Sequence, residues 1–169
     1  MKAIGEIGLP YYKRKEDPSL PLEPYIELLE EFFKLAANLD KPVALHAVYE
    51  DAPIVCGLLE KHSVPKAHFH WFKGDAKTIE RMIANKYYIS VTPDILKEEE
   101  IRKLAKRYPL SLMMAETDGP WPFEECFPGQ MTHPKMIHYT VATLSSIKRI
   151  PAAEVYHVLY QNTKQFYGL

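Results

Sequence analysis

The sequence predicts an α/β fold in which helices cover a parallel sheet. Five segments rich in valine, isoleucine, tyrosine and phenylalanine have the length of strands: residues 2–8, 42–48, 66–72, 87–92 and 111–117. Longer segments with apolar residues at helical spacing separate them, and this alternation is typical of parallel sheets. With 169 residues, 47% of them hydrophobic, the chain is expected to form a single domain over residues 1–169 with a sizeable core.

Helices are expected between and after these strands. Pro24 opens a segment with helical periodicity, and proline is tolerated in a first turn because its missing N–H would have no partner there. Asp51 and Asp75 are expected to cap the next two helices, since a carboxylate can accept hydrogen bonds from the free N–H groups of a first turn. The remaining helices are predicted at residues 98–108, 134–147 and 153–166.

The number of strand–helix units limits the architecture. Five units in 169 residues take roughly 34 residues each, so the eight units of a closed (β/α)8 barrel would need about 270. The chain therefore has too few units to close such a barrel by itself.

Composition excludes several classes of protein. The chain carries 21 Lys+Arg against 22 Asp+Glu, so it has no broad basic excess for nucleic-acid binding. Its only cysteines, Cys56 and Cys126, argue against a disulfide scaffold. No apolar run approaches the ~20 residues needed to span a bilayer, and the start MKAIGEIGLP lacks the layout of a secretory signal. We therefore expect a cytoplasmic protein without membrane contact.

Four polar residues stand at corresponding places near the ends of predicted strands. They are Glu6 in AIGEIGL, His46 in PVALHAV, His70 in AHFHWF and Asp118 after MMAET. Ligand sites of parallel α/β folds lie at the carboxyl ends of the strands, so the four side chains are expected to face one cavity. Each one alone could be an ordinary structural residue. As a set, they suit a divalent ion such as Zn²⁺, Mn²⁺ or Mg²⁺ in a hydrolytic site.

Six motifs carry a resemblance to a known family. IGEIGLPYY, KPVALHAVYEDA, FHWFKGD, YYISVTP, ETDGPW and NTKQFYG resemble, in the same order, the motifs of the TatD-related metal-dependent hydrolases, a deoxyribonuclease-like branch of the amidohydrolase superfamily. The resemblance runs through nearly the whole chain. It implies a (β/α)8 TIM-barrel fold and metal-dependent hydrolysis, often of DNA phosphodiesters.

The resemblance also implies a role for each candidate residue. Glu6 corresponds to the carboxylate that bridges two metal ions in the family, and His46 and His70 correspond to the histidines on the second ion. Asp118 corresponds to the aspartate that binds the first ion and takes the proton of the attacking water. A carboxylate suits that role because it can accept this proton and return it to the leaving oxygen.

The sequence departs from the family's motifs at three places. Pro10 replaces the usual aspartate after IGEIGL, and Trp71-Phe72-Lys73-Gly74 replaces Cys-Phe-Ser-Gly, so the choice of substrate does not follow from the resemblance. Lys73 is expected to be solvated, with contact to a substrate phosphate as the alternative.

The third departure is that the His-x-His of the family's first strand is absent. The chain is therefore expected to be N-terminally truncated. It would form an incomplete barrel of about five parallel strands that lacks its first three β/α units.

His68-Phe69-His70 has the same spacing as the missing motif. His68 precedes the matched ligand by two residues and should therefore lie about 6–7 Å deeper along the strand. We expect it to pack or to form a hydrogen bond behind the ligands, and not to bind the ion. Glu116 shares a strand face with Asp118, and support of the site, contact with substrate or a structural hydrogen bond all remain open for it.

Three functions fit these observations. The first is phosphodiester hydrolysis by metal-activated water, on DNA or a small phosphoester, with doubtful activity in this chain alone. The second is hydrolysis of an amide or carboxylic ester by the same chemistry. The third is a catalytically inactive remnant that serves as a metal-binding, ligand-binding or interaction module, which the absent His-x-His favours.

The two edges of an open sheet predict self-association. The edge strands at residues 3–5 and 112–114 are apolar and lack the charges that discourage strand addition. Without further strands, the interior layer that includes Ile4, Ala44 and His68 is expected to be uncovered. We therefore expect a homo-oligomer, or completion of the fold by a missing N-terminal segment.

Overall fold

The computed structural model describes residues 1–169 and contains one sheet of five parallel strands. The strands are β1 (Ile4–Gly8), β2 (Val43–His46), β3 (Ala67–Phe69), β4 (Tyr88–Val91) and β5 (Met113–Ala115). Each strand pairs with the next in chain order, and β1 and β5 form the two edges of an open sheet. The predicted α/β class is confirmed, although the strands are shorter than the predicted segments.

Seven helices connect and follow the strands. They are α1 (Tyr11–Glu16), α2 (Glu23–Asn38), α3 (Asp51–Lys61), α4 (Ala76–Ala84), α5 (Glu99–Arg107), α6 (Ile137–Lys148) and α7 (Ala152–Tyr167), with short 3-10 turns at Pro93–Leu96, Leu110–Leu112 and Pro134–Met136. None of the helices combines the length and the apolar character that a membrane crossing requires.

The main core lies between the helices and one face of the sheet. Leu45 of β2, Phe69 of β3 and Leu59 of α3 are fully buried in it. Because side chains alternate along a strand, burial of Leu45 and Phe69 on this face turns His46 and His68 to the opposite face. The candidate histidines are therefore placed by the same alternation that forms the core.

Two details of the helices differ from the predictions. Helix α1 was not predicted, because its sequence YYKRKE has no apolar periodicity. Asp51 is the first residue of α3 and not its cap: it is fully buried and accepts a hydrogen bond from Arg14 at 2.8 Å. Asp75, in contrast, caps α4 as predicted, accepting hydrogen bonds from the backbone of Lys77 and Thr78.

The expectation of an uncovered interior layer is wrong for two of its three residues. Ile4 and His68 are each only 6% exposed, whereas Ala44 is half-buried. The end of α7 covers His68, with the ring centres of Phe166 and Tyr167 at 6.0 and 6.2 Å from the imidazole. The carboxyl end of the chain thus supplies cover that the sequence pattern did not reveal.

Candidate metal centre

Three neighbouring strands place the acidic and imidazole groups side by side. Glu6 lies within β1, His46 ends β2, and His70 directly follows β3. The backbone N–H of His70 donates to the carbonyl of Leu45 at 3.0 Å, which fixes the level of His70 beside His46. Gly8 pairs with His46 across the sheet, and a Cβ atom at Gly8 would overlap the carbonyl of His46. Glycine is thus required for this close approach of β1.

The ligand atoms of these three residues converge. His46 Nδ1 lies 2.9 Å from His70 Nε2, which in turn lies 2.8 Å from Glu6 Oε1. The third separation, between His46 Nδ1 and Glu6 Oε1, is 3.5 Å. Tetrahedral ligands at ~2.0–2.1 Å from a zinc ion would lie roughly 3.3 Å apart. Glu6, His46 and His70 therefore have the spacing of three ligands of one ion.

Asp118 reaches the same cavity but stays outside this group of three. Its Oδ1 atom lies 3.9 Å from His70 Nδ1, the ring nitrogen that faces away from Glu6. The residue follows β5 with a left-handed backbone (φ 47°), a conformation that aspartate tolerates better than most residues. The sequence expectation that Asp118 binds a metal ion stays a prediction.

The four candidate residues line a cavity of about 710 Å³. Acidic side chains outnumber basic ones on the rest of its wall, which includes Glu16, Lys73, Asp94, Lys97, Glu98, Glu124 and Glu125. Trp71 and Trp121 contribute an aromatic part of the wall, with ring centres 5.5 Å apart. Trp121 is 54% exposed, so part of its side chain is accessible to a ligand in the cavity.

The expectation that Lys73 is solvated is wrong. Its side chain is only 12% exposed and its Nζ atom lies 2.7 Å from Glu98. The same ammonium group stands 5.8 Å from the ring centre of Trp71, in a cation–π arrangement. Lys73 is therefore a paired group of the cavity wall.

Neighbouring charges shift the protonation of the site. Burial alone would lower the pKa of His70, but the carboxylates of Glu116 and Glu6 raise it to about 10. Burial and the charge on His70 lower the pKa of His46. The hydrogen bond with His70 lowers the pKa of Glu6, although its burial acts in the opposite direction. Without an ion, the site therefore holds a charged His70 beside a neutral His46.

His68 lies behind the three converging residues and does not join them. Its Nδ1 atom is 2.8 Å from the hydroxyl of Tyr167, and its Nε2 atom is 2.7 Å from Ser90 Oγ. Ser90 donates a hydrogen bond to Glu116 Oε1 at 2.6 Å. Packing or a hydrogen bond behind the ligands was expected for His68, and its ring forms two hydrogen bonds there.

Ser90 and Tyr167 were not identified from the sequence. Ser90 is a polar residue in the apolar strand segment YYISVT and is 3% exposed, a combination that could have marked it. Tyr167 follows His68 by 99 residues, and no local pattern connects the two.

Fold and site together define a parallel α/β protein with a candidate metal centre at the carboxyl ends of its strands. The family model described as TatD related DNase matches residues 1–168. The chain belongs to this family, and the resemblance carried by its six motifs is confirmed.

Relatives and a solved structure agree with this assignment. A protein of Haemophilus influenzae named an uncharacterized metal-dependent hydrolase is 39% identical over 169 residues, covering 100% of this chain and 66% of the relative. Human deoxyribonuclease TATDN3 is 27% identical over 167 residues, covering 98% of this chain and 59% of the relative. The crystal structure of YjjV, a TatD homologue from Escherichia coli, matches with a TM-score of 0.81 at 28% identity and covers 99% of this chain and 64% of that one. The chain thus spans less than two thirds of the length of each of the relatives compared.

Proposed function

We propose that this chain is a metal-dependent hydrolase that cleaves a phosphodiester, with one ion held by Glu6, His46 and His70. The observation that carries the proposal is the convergence of their ligand atoms, none more than 3.5 Å from the others. The names of two relatives support the reaction type, since one is a metal-dependent hydrolase and the other a deoxyribonuclease. DNA or a small phosphoester is the proposed substrate.

The donor set fits a small divalent ion. Two imidazole nitrogens and one carboxylate oxygen form the ligand set of known catalytic zinc sites, which keep a fourth position open. Imidazole also suits other transition-metal ions such as Mn²⁺, whereas Mg²⁺ prefers oxygen ligands and gives up its waters reluctantly. Zn²⁺ and Mn²⁺ therefore fit this set better than Mg²⁺. When bound, such an ion supplies a water molecule of lowered pKa and polarises the phosphoryl oxygen.

Asp118 is proposed as the residue that moves the proton. Its carboxylate faces the cavity, and its nearest histidine nitrogen lies 3.9 Å away, so the oxygens are available to a water molecule. Burial raises the pKa of Asp118 above its ordinary value, which makes the carboxylate a stronger base. Asp118 would accept the proton of the attacking water and return it to the leaving oxygen.

The same geometry predicts one tight ion and slow turnover. Glu6, His46 and His70 offer three ligands, whereas a second ion would depend on Asp118 and a shared Glu6 alone. A pair of carboxylates without imidazole is a poor zinc site at neutral pH. The alternative proposal is an inactive module that binds an ion or ligand in this cavity, since three ligand atoms suffice to hold one ion without turnover.

Hydrolysis of bis(p-nitrophenyl) phosphate and of p-nitrophenyl acetate, each with Zn²⁺ or Mn²⁺ added, tests the proposal. We expect slow phosphodiester turnover that chelator abolishes and that Asp118→Asn reduces at least 100-fold, as expected for a general base. His46→Gln removes a proposed ligand and is expected to abolish turnover, whereas His157→Gln, which changes an exposed histidine on α7, is the matched control and is expected to leave it unchanged. Ester hydrolysis without phosphodiester hydrolysis would favour the carboxylic-ester alternative, and metal binding without turnover of either would favour the inactive module.

A further inference from the structure

Four polar side chains form a continuous line from the end of α7 to the metal centre. The hydroxyl of Tyr167 lies 2.8 Å from His68 Nδ1, and His68 Nε2 lies 2.7 Å from Ser90 Oγ. Ser90 Oγ lies 2.6 Å from Glu116 Oε1. His68 and Ser90 are 6% and 3% exposed, so water cannot easily replace these partners.

The direction of each hydrogen bond follows from the groups themselves. Glu116 is a carboxylate and accepts, so Ser90 uses its single proton to donate to it. Ser90 Oγ must then accept from His68, which places a proton on His68 Nε2. His68 is buried with no carboxylate in contact, so its neutral form is favoured and Nδ1 is bare. That bare nitrogen accepts from the hydroxyl of Tyr167.

At its other end, Glu116 lies next to His70, which is a proposed ligand of the ion. Glu116 Oε1 also accepts a hydrogen bond from the backbone N–H of Trp71 at 2.8 Å, so two donors fix its position. The same oxygen lies 3.8 Å from His70 Nδ1, while His70 Nε2 faces Glu6. This separation is longer than a hydrogen bond, and Asp118 Oδ1 lies 3.9 Å from the same nitrogen. The negative charge of the fixed Glu116 carboxylate still favours a proton on His70 Nδ1, which leaves Nε2 for the ion.

We propose that Ser90, His68 and Tyr167 are positioning residues that hold Glu116 beside His70, so that His70 presents its Nε2 atom to the ion. Tyr167 anchors the line from α7, and Ser90 is the last link before Glu116. The proposal rests on the proposed metal centre of Glu6, His46 and His70 for its functional meaning. It predicts a graded effect on metal affinity, largest for Glu116→Gln, smaller for Ser90→Ala and smallest for Tyr167→Phe.

The first test is the protonation of His68 in the metal-free protein. Long-range ¹H–¹⁵N NMR correlations distinguish the two neutral tautomers of an imidazole, and we expect His68 to be protonated only at Nε2. A proton at Nδ1, or an equal mixture of the two tautomers, would overturn the assigned line of hydrogen bonds. This readout requires neither a bound ion nor activity.

The second test is calorimetric titration of the full chain with Zn²⁺ alone. We expect Ser90→Ala to weaken Zn²⁺ binding 10- to 100-fold, the range found for residues that support metal ligands, and Ser90→Thr to restore most of it. Ser145→Ala is the control, since it removes another serine hydroxyl, which donates from α6 to the carbonyl of Ile150 just beyond the end of that helix. If Ser90→Ala does not fold, as judged by circular dichroism, Tyr167→Phe takes its place with an expected loss of 3- to 10-fold.

The outcomes separate the two proposals. Unchanged Zn²⁺ affinity in folded Ser90→Ala, or in Tyr167→Phe where that variant is used, would overturn the positioning role. An equal loss in Ser145→Ala would show a general effect of lost hydroxyls and would also overturn it. If the unaltered chain binds no Zn²⁺, the proposed metal centre fails and the positioning role falls with it, while the NMR result still decides the line of hydrogen bonds.

Discussion

His46 Nδ1 lies 2.9 Å from His70 Nε2, across two adjacent strands. Two ring nitrogens this close cannot both direct a proton at each other, so one of them must be bare. The raised pKa of His70, at about 10, and the lowered pKa of His46 place the shared proton on His70. A bound ion would therefore replace a proton between the two rings.

Metal binding should release a proton. At pH 7 the metal-free His70 is protonated while His46 is neutral, and an imidazole must lose its proton at the nitrogen that binds an ion. Calorimetric titration with Zn²⁺ in two buffers of different ionisation enthalpy should give about one proton released per ion. Release close to zero would mean that the metal-free His70 is neutral and that its assigned pKa is wrong.

Stability of the metal-free chain should fall as pH rises from about 6.5 to about 10. The pKa of His70 is raised from 6.5 to about 10 in the folded state, so its stabilising contribution is complete below the first value and is lost towards the second. Urea unfolding of the chelator-treated protein across this range measures the effect. His70→Gln should show a flatter pH dependence, whereas the exposed His157→Gln should follow the unaltered chain. Parallel curves for all three proteins would contradict the prediction.

Trp121 should contribute to substrate binding and little to stability. Its ring is 54% exposed on the cavity wall, and base–aromatic stacking is worth about 1–3 kcal/mol per base. Trp121→Ala should therefore weaken binding of a short single-stranded oligonucleotide roughly 5- to 160-fold, measured by fluorescence anisotropy. Tyr160→Ala is the control, since Tyr160 is 59% exposed but does not line this cavity. Equal effects of the two variants would show that Trp121 does not contact the nucleic acid.

The chain is expected to self-associate. Besides the two edge strands, α2 exposes Leu28 and Leu35, and Leu39 directly follows the helix; the three side chains are 58%, 43% and 45% exposed. Light scattering at micromolar concentration should show a homo-oligomer, and the double substitution Leu28→Glu/Leu35→Glu should shift it towards the monomer. Lys34→Glu, on the same helix, changes the net charge by the same amount and serves as the control. A monodisperse 19.5 kDa species of the unaltered chain would contradict the expectation.

Local patterns were sufficient for the framework of the fold. Strand and helix periodicity predicted all five strands and six of the seven helices, and alternation along β3 placed His68 behind His70. Features that depend on distant partners were not predictable in this way. Asp51 does not form the predicted cap, because its carboxylate pairs with Arg14, 37 positions earlier in the chain. The cover of His68 by Tyr167 depends on a residue 99 positions away.

The same distinction holds within the candidate site. Motif order identified Glu6, His46, His70 and Asp118, and parallel topology predicted that they face one cavity, as they do. Sequence could not show that the ligand atoms of Glu6, His46 and His70 converge within 3.5 Å of one another. Nor could it show that Asp118 faces the other ring nitrogen of His70, Nδ1, at 3.9 Å. That difference depends on side-chain directions and on the loop after β5.

A zinc-edge anomalous difference map from crystals grown with Zn²⁺ would show whether Glu6, His46 and His70 hold one ion. We expect one strong peak per chain, at ~2.0–2.2 Å from His46 Nδ1, His70 Nε2 and a carboxylate oxygen of Glu6. Crystals of His70→Gln should show a weakened peak or none at that position. A peak elsewhere, for example beside His62 and Glu30, whose facing atoms are 3.6 Å apart, with none at the predicted position would contradict it.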